Sequence, residues 1–438
     1  MTSATSVFFD RFRLGAITVG ETGAITFDYS SKWLATRGAF PLSTTIPLRP
    51  GPHSGDVVEP WLANLLPEEQ QLAIVARSLG LDRSDALAIL REIGADTAGA
   101  LSFGAPSDED AWLYTSLTEL YGVADDATAL GRHIDDLGQR PLLVGEDGVR
   151  QSLAGGQRKS ALAVAGPDGG PALRLPEEGD TLVVPRHGAP STIIVKPDNP
   201  ALPGIVENEA YCLHLANAIG IEVAAVTTLA AENRSALCVL RYDRRVASGG
   251  GIRRVHQEDF AQANALPPGR KYEIGTVPGL SLAALLRTGR LRLPPSDALR
   301  LLDQVIFNIL AANTDGHAKN YSLLLPVARE PRLAPLYDVS SVLPWEGYVN
   351  QSFAQKIAGK KRKPGDLAAC HWDAISREAD FRPSDVRRRV GELIDRVVAR
   401  RVDVTTAVCA LPGVSPGHVE QVAGLVEQNA LRIAGRLR

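Results

Sequence analysis

The run Asn313-Thr314-Asp315-Gly316-His317-Ala318-Lys319-Asn320 places a carboxylate five residues before an amide, in the spacing D-x-x-x-x-N. That pair suits phosphoryl transfer, where the acid accepts or orients a hydroxyl proton and the amide oxygen holds Mg²⁺. Downstream, Leu336-Tyr337-Asp338 closes a short apolar run with a second acid, a charged ligand able to bridge the metal to β- and γ-phosphates. Upstream, Lys196 ends the strand-like run 192–195, where an ammonium can reach phosphate. His317 and Lys319 lie inside the loop and can touch phosphate or cap it. On its own, D-x-x-x-x-N is weak, because Asp and Asn are common in turns. Its weight comes from Asp338 and Lys196 standing in the order this chemistry uses.

A second element is Ser152-Leu153-Ala154-Gly155-Gly156-Gln157-Arg158-Lys159, ahead of a β-rich run. Its glycines let backbone N–H groups approach a phosphate, although it is neither G-x-G-x-x-G nor a Walker A, and a hairpin loop is the plain alternative. Glu209, on the helix after Lys196, can pair with that lysine; Glu207 competes for the role, and acids favour helix first turns in any case. The run Lys360-Lys361-Arg362-Lys363 can contact a nucleic-acid backbone or stand as a solvated loop. The histidines show no metal-ligand spacing, and no Ser-His-Asp arrangement is evident.

Elements must hold these residues in place. At 438 residues, two or three lobes are expected. Hydrophobic content of 45%, 22% charged residues and a net charge of −3 describe an ordinary globular protein without a global preference for nucleic acid or membrane. Cys212, Cys238, Cys370 and Cys409 lack C-x-x-C spacing, which fits reduced thiols in a cytoplasm. No apolar run approaches the ~20 residues a membrane span needs. Strands are expected over 7–19 and 24–29 around Gly20-Glu21-Thr22-Gly23. Helices are expected over 59–65, from Pro67 toward Leu79, and after Ser84 as N-cap. A polar linker covers 104–110, and 113–137 reads as helical. Short strands then follow at 160–164, 182–184, 192–195, 224–229 and 236–240, interrupted by a helix over 205–219. This predicts a mostly antiparallel sheet with one long helix. Beyond Arg245 the chain reads as mainly helical. Ser296 is the expected N-cap of a stripe through Leu299, Leu302, Ile306, Ile309 and Leu310, and a last helix carries Val419, Val422, Val426 and Ile433.

Read together, these residues resemble the HipA family of toxin kinases from HipBA-type toxin–antitoxin pairs. The likeness runs through Trp61-Leu62-Ala63-Asn64-Leu65-Leu66-Pro67, the segment from Glu92 to Ala100, the Ser152–Lys159 loop, Asn208-Glu209 and Arg241-Tyr242-Asp243-Arg244. It continues through Gln257-Glu258-Asp259 and Lys271-Tyr272-Glu273, and is strongest at Thr314–Asn320 with Pro335–Asp338. The resemblance implies an α+β, two-lobed protein-kinase-like fold, with a sheet-rich N-lobe, a helical C-lobe and an N-terminal α+β subdomain. The corresponding segments are 1–106, 107–245 and 246–438. It implies a serine/threonine kinase using ATP and Mg²⁺, with Asp315 as catalytic acid/base and Asn320 and Asp338 as metal ligands. Nucleotide contacts would come from Ala154, Gly155, Gly156, Gln157, Arg158, Lys159, Lys196, Glu209 and His317, and adenine would meet the hinge at Leu240, Arg241 and Tyr242. Ser152 matches the serine that members autophosphorylate, which pulls the loop from the ATP site. A HipB-like helix-turn-helix antitoxin, operator DNA reached through it, and an aminoacyl-tRNA synthetase substrate, glutamyl-type first, are the implied partners. A corepressor in which kinase activity is secondary is the competing reading, with Lys360, Lys361, Arg362 and Lys363 as its nucleic-acid contacts. Two departures stand out: Leu240 replaces the family's hinge acid, and Arg158 replaces a Glu beside the phosphates.

Overall fold

The computed structural model describes residues 3–273 and 277–437. The chain forms two compact units, each drawn from discontinuous stretches: Met1–Pro197, Cys238–Pro268 and Leu323–Pro331 in the first, Asp198–Leu237, Gly269–Ser322 and Arg332–Arg438 in the second.

The first unit opens with an antiparallel sheet in the spatial order His53–Ser54, Ile25–Tyr29, Phe12–Val19, Ser3–Phe9 and Leu101–Phe103. Val7, Leu14, Ile17 and Phe27 form its buried face and pack in one core with Trp61, Val75 and Leu90 of the helices Gly55–Ala63, Glu69–Leu79 and Ala86–Ile93. The expected strand over 7–19 is in fact a hairpin. Asp10, at φ 49°, reverses the chain between Phe9 and Phe12, a conformation that short polar residues tolerate. The third helix is capped by Asp85 rather than Ser84, the Asp85 carboxylate accepting from the Ala88 N–H at 2.9 Å.

A second sheet in this unit runs Ile193–Pro197, Ser160–Ala165, Thr181–Arg186 and Leu113–Ser116, all antiparallel. Every residue of Ser160–Ala165 is buried, so the sheet is covered on both faces. Leu113–Ser116 was expected to be helical and is a strand, because pairing with 183–186 decides against a weak local preference. The helix begins only after Ser116, whose hydroxyl accepts from the Glu119 N–H at 3.0 Å. Short strands Arg244–Val246, Ile252–Arg254 and Gln257–Asp259 follow, so helical character starts later than Arg245.

The second unit is mainly helical, with Ile205–Ala218, Pro295–Leu310, Pro383–Cys409 and Pro416–Ala434 as its longest helices. Ser296 is not the cap of Pro295–Leu310. Pro295, which has no N–H to leave unsatisfied, starts the helix and puts Ser296 in the first turn. Leu299 is 42% exposed, and the buried stripe runs instead through Leu301, Leu302, Val305, Ile306, Ile309 and Leu310. Val419, Val422, Val426 and Ile433 are buried as expected. Among the described residues no helix is long and apolar enough to cross a membrane.

Candidate active site

The loop after Pro295–Leu310 is built by amides. Asn429 donates to the carbonyls of Ile309 and Leu310 at 3.2 and 2.8 Å, satisfying acceptors that a helix end leaves open. Ala312 takes φ 56°, and the Asn313 N–H returns to the Asn308 carbonyl at 2.8 Å, turning the chain out of the helix. The Asn313 side chain donates to Asn308 Oδ1 at 2.6 Å and to the Asp338 carbonyl at 3.4 Å, so it ties the loop to the segment carrying the second acid.

Asp315 is exposed at the tip of this loop, but its backbone is fully used. Its N–H donates to Asn313 Oδ1 at 3.1 Å, and its carbonyl accepts from the His317 N–H at 2.6 Å and from Asn320 Nδ2 at 2.9 Å. With its amino group committed there, the Asn320 amide oxygen is the atom that could hold a metal ion. Asp338 is placed by Leu336, whose N–H and carbonyl bond Glu222 and Ala224 at 2.8 and 2.9 Å, and by Tyr337, whose hydroxyl donates to the Lys319 carbonyl at 2.8 Å. Asp338 itself adopts φ 59°, left-handed backbone that a short polar residue tolerates.

One carboxylate and one neutral oxygen fit Mg²⁺, which keeps much of its shell for water and phosphate oxygens. Among the described residues no cluster of three His, Cys, Asp or Glu forms a protein-only cage. Bound there, Mg²⁺ would neutralise charge developing on the phosphates, and Asp315 would take or orient the proton of the attacking hydroxyl.

Sequence reasoning did not single out Tyr272 as a site residue, although the matched Lys271-Tyr272-Glu273 contained it. Its hydroxyl donates to Asp315 Oδ1, and its ring stands edge-on to His317 at 5.0 Å. One carboxylate oxygen is thereby fixed and the other is directed away from it. Tyr272→Phe keeps the ring and removes only the donor. The expected result is a kcat about tenfold lower, the scale of one hydrogen bond to a charged group, with KM for ATP unchanged. Steady-state kinetics at saturating acceptor would check this, and a change confined to KM for ATP would refute it.

The glycine-rich loop lies in the first unit. Ser152 is buried, in a short strand parallel to Asp96–Thr97, and its hydroxyl donates to the Leu65 carbonyl at 2.8 Å. Gly155 has φ 104°, its carbonyl accepts from the Glu68 N–H at 3.1 Å, and a Cβ there would meet Lys159 Nζ at 2.7 Å. Lys159 Nζ closes the loop on the Ala154 carbonyl at 2.7 Å. Gly156 is exposed and Gln157 half-buried, while the Arg158 guanidinium lies against Gly138. Lys196 is buried in Ile193–Pro197. In the second unit Glu209 is also buried, and its competitor Glu207 is occupied, accepting from the Ser415 N–H at 3.0 Å.

Leu240 ends a strand, and the Arg241 N–H donates to the Thr192 carbonyl at 2.9 Å. The Arg241 guanidinium belongs to a buried network: it bonds Asp243 at 2.9 and 2.7 Å, Ser191 at 2.8 Å and the Thr97 carbonyl at 2.8 Å. Asp96 is its centre, with Arg244 at 2.8 Å, Arg254 at 2.9 Å and Ser191 at 2.6 Å. Burial pushes the Asp96 carboxyl up, but Arg244, Arg254 and Arg241 outweigh it and hold it far below the usual carboxylate range. The Arg241 side chain is therefore committed to this network, and only backbone groups at 240–242 remain to meet a ligand.

A loop carrying Asp315 and Asn320 in a helical unit, with Lys196 and a glycine-rich loop in a sheet-bearing one, fits a kinase-like α+β protein. The family model for the HipA N-terminal domain matches residues 5–104, and that for the HipA-like C-terminal domain matches 151–401. Y4mE of Sinorhizobium fredii, which is named as a kinase, is 36% identical over 405 residues, 92% of either chain. The serine/threonine-protein kinase toxin HipA of Shewanella oneidensis is 32% identical over 359 residues, covering 77% of this chain and 76% of that one. The solved complex of Shewanella oneidensis HipA with HipB and operator DNA superposes with a TM-score of 0.80 at 25% identity, covering 98% of this chain and 97% of the other. The chain belongs to the HipA kinase family, and its fold is the two-lobed kinase-like one expected.

Proposed function

We propose that the chain is an ATP- and Mg²⁺-dependent serine/threonine protein kinase acting as the cytoplasmic toxin of a type II toxin–antitoxin pair. The observation that carries this is the Asn313 bridge, which holds the loop of Asp315 and Asn320 against the Asp338 segment. The naming of the Shewanella oneidensis relative as a serine/threonine-protein kinase toxin supports it. In this reading 1–106 is the N-terminal subdomain, 107–245 carries the phosphate loop and Lys196, and 246–438 carries catalysis. The substrate is a translation component, with a glutamyl-type aminoacyl-tRNA synthetase the first candidate.

Ser152 is the proposed autophosphorylation site. A phosphate of nearly two charges has no place where the Ser152 hydroxyl now sits, so the modified loop must leave that pocket and compete with nucleotide binding. A second reading, an antitoxin-bound corepressor on operator DNA, is favoured by the match to a HipA–HipB–operator complex and is compatible with the first.

The test is incubation of purified, phosphate-free protein with ATP and Mg²⁺, followed by mass-spectrometric mapping, beside Asp315→Ala. Phosphate on Ser152 in the parent and none in the variant is expected. No phosphate and no ATP binding would leave the corepressor as the better reading.

A further inference from the structure

Residues 353–362 form a tight hairpin in the second unit. Ile357 and Lys360 exchange backbone hydrogen bonds at 2.9 and 3.3 Å, and the Phe353 N–H donates to the Arg362 carbonyl at 3.0 Å. The two turn residues, Ala358 and Gly359, have φ 51° and 71°, the positive pair that a two-residue hairpin turn requires.

The two arms differ in character. Phe353, Ala354, Gln355 and Ile357 on the outgoing arm are buried, whereas Lys360, Lys361 and Lys363 on the return are exposed. The buried arm is fastened to the catalytic loop: Gln355 Nε2 donates to the Gly316 carbonyl at 3.0 Å, and Phe353 and Ile357 line a small cavity with Asn313 and Gly316. The same arm is laced to the segment of Tyr272, the Glu273 N–H donating to the Ala354 carbonyl at 3.0 Å and the Lys356 N–H to Glu273 Oε2 at 2.9 Å. The basic return arm is thus hydrogen-bonded, at Lys360 and Arg362, to a segment in contact with the loop of Asp315.

Its charges also differ from the ion-paired arginines of this chain. Arginines such as Arg140, Arg186, Arg234 and Arg389 are ion-paired. Among the described residues, no carboxylate lies within 4 Å of the charged groups of Lys360, Lys361, Arg362 or Lys363. Arg362 turns its Nε to the Ile357 carbonyl at 3.2 Å, and the neighbouring Asp366 accepts from the Lys363 backbone N–H at 3.1 Å. Four adjacent cations with only the Asp366 carboxylate beside them repel one another, and a polyanionic partner relieves that repulsion.

We propose that this hairpin is the acceptor-docking element of the kinase, selecting serine or threonine with acidic side chains within a few residues. The inference rests on the protein-kinase reading. Fastening to the catalytic loop favours a protein segment over DNA: a peptide whose hydroxyl reaches Asp315 passes beside the basic arm, while nothing in that fastening concerns a duplex. An acid within about five residues of the acceptor lies at most about 17 Å from it along an extended peptide.

The test uses two fluorescein-labelled peptides of equal length around one serine, one flanked by Glu and one by Lys, with binding read by anisotropy at low and high salt. The full chain should prefer the acidic peptide. In Lys360→Ala/Lys361→Ala/Lys363→Ala, Kd for that peptide should rise about tenfold at low salt, with little change at high salt. Arg362 is left in place because it holds the turn. Lys→Glu at the same three positions should invert the preference. Equal binding of both peptides by the parent, or no response to the triple substitution, would overturn the proposal. So would a triple variant whose only loss is affinity for an operator duplex in the antitoxin complex. Anisotropy needs no turnover, so absence of phosphate transfer would count against the kinase reading and lack of charge preference against the docking element.

Discussion

Asp315→Ala is expected to slow phosphate transfer by roughly 10²- to 10⁴-fold, the range for loss of a general acid/base, while Mg²⁺ and ATP still bind. The separation is possible because the loop is assembled on Asp315's backbone. His317 and Asn320 both donate to its carbonyl, and its own N–H is held by Asn313; none of these bonds involves the carboxylate. Removing the side chain deprives Tyr272 of an acceptor but leaves Asn320 oriented toward a metal. Asp338→Ala should behave differently. With its carboxylate as the proposed charged ligand, activity should fall together with a raised Mg²⁺ requirement, partly restored at high metal concentration. Single-turnover transfer measured across a Mg²⁺ titration separates the two. If Asp315→Ala shifts the metal curve as far as Asp338→Ala does, Asp315 is acting as a ligand and the assignment of roles fails.

What was legible in the sequence follows from how local each interaction is. The pairing of Asp315 and Asn320 in one loop was legible because they meet through a carbonyl and an amide five residues apart. The strand holding Lys196 and the helix Ile205–Ala218 were legible because apolar runs bounded by Gly, Pro and Asp mark them. Helix starts were read one residue wrong at Ser84 and two residues late at Ser296. Adjacent Ser and Asp compete for a cap in the first case, and Pro fixes the first turn in the second. Leu299 and Leu301 fit the same stripe by type, and only packing decides that Leu301 is inside. The network around Asp96 gave no sequence signal at all. Its partners Arg241 and Arg254 lie 145 and 158 residues away, and nothing short of the fold brings them together.

That network carries the largest expected effect on stability. Asp96→Asn should destabilise the first unit by about 3–5 kcal/mol, because it takes the carboxylate from Arg254 and leaves Arg241 and Arg244 sharing Asp243 in a buried site. Ser191→Ala, which removes a neutral donor to the same carboxylate, should cost only about 1 kcal/mol. The pH dependence distinguishes a charge effect from lost packing. The folded Asp96 carboxyl titrates below its unfolded value near 3.9, so its stabilisation is complete above that value and is lost as pH falls toward the folded one. The gap between parent and Asp96→Asn should therefore be flat from about pH 8 to pH 5 and shrink only below about pH 4, whereas the Ser191→Ala gap should not change. Urea unfolding at neutral and acid pH, followed by a probe in the first unit, provides the measurement. A neutral-pH gap under about 1 kcal/mol, or one that widens on acidification, would mean that the three guanidiniums are held by their carbonyl partners and Asp243 instead. In that event the hinge at Leu240–Tyr242 would rest on the Arg241 backbone bond to Thr192, and Asp96 could be replaced without disturbing it.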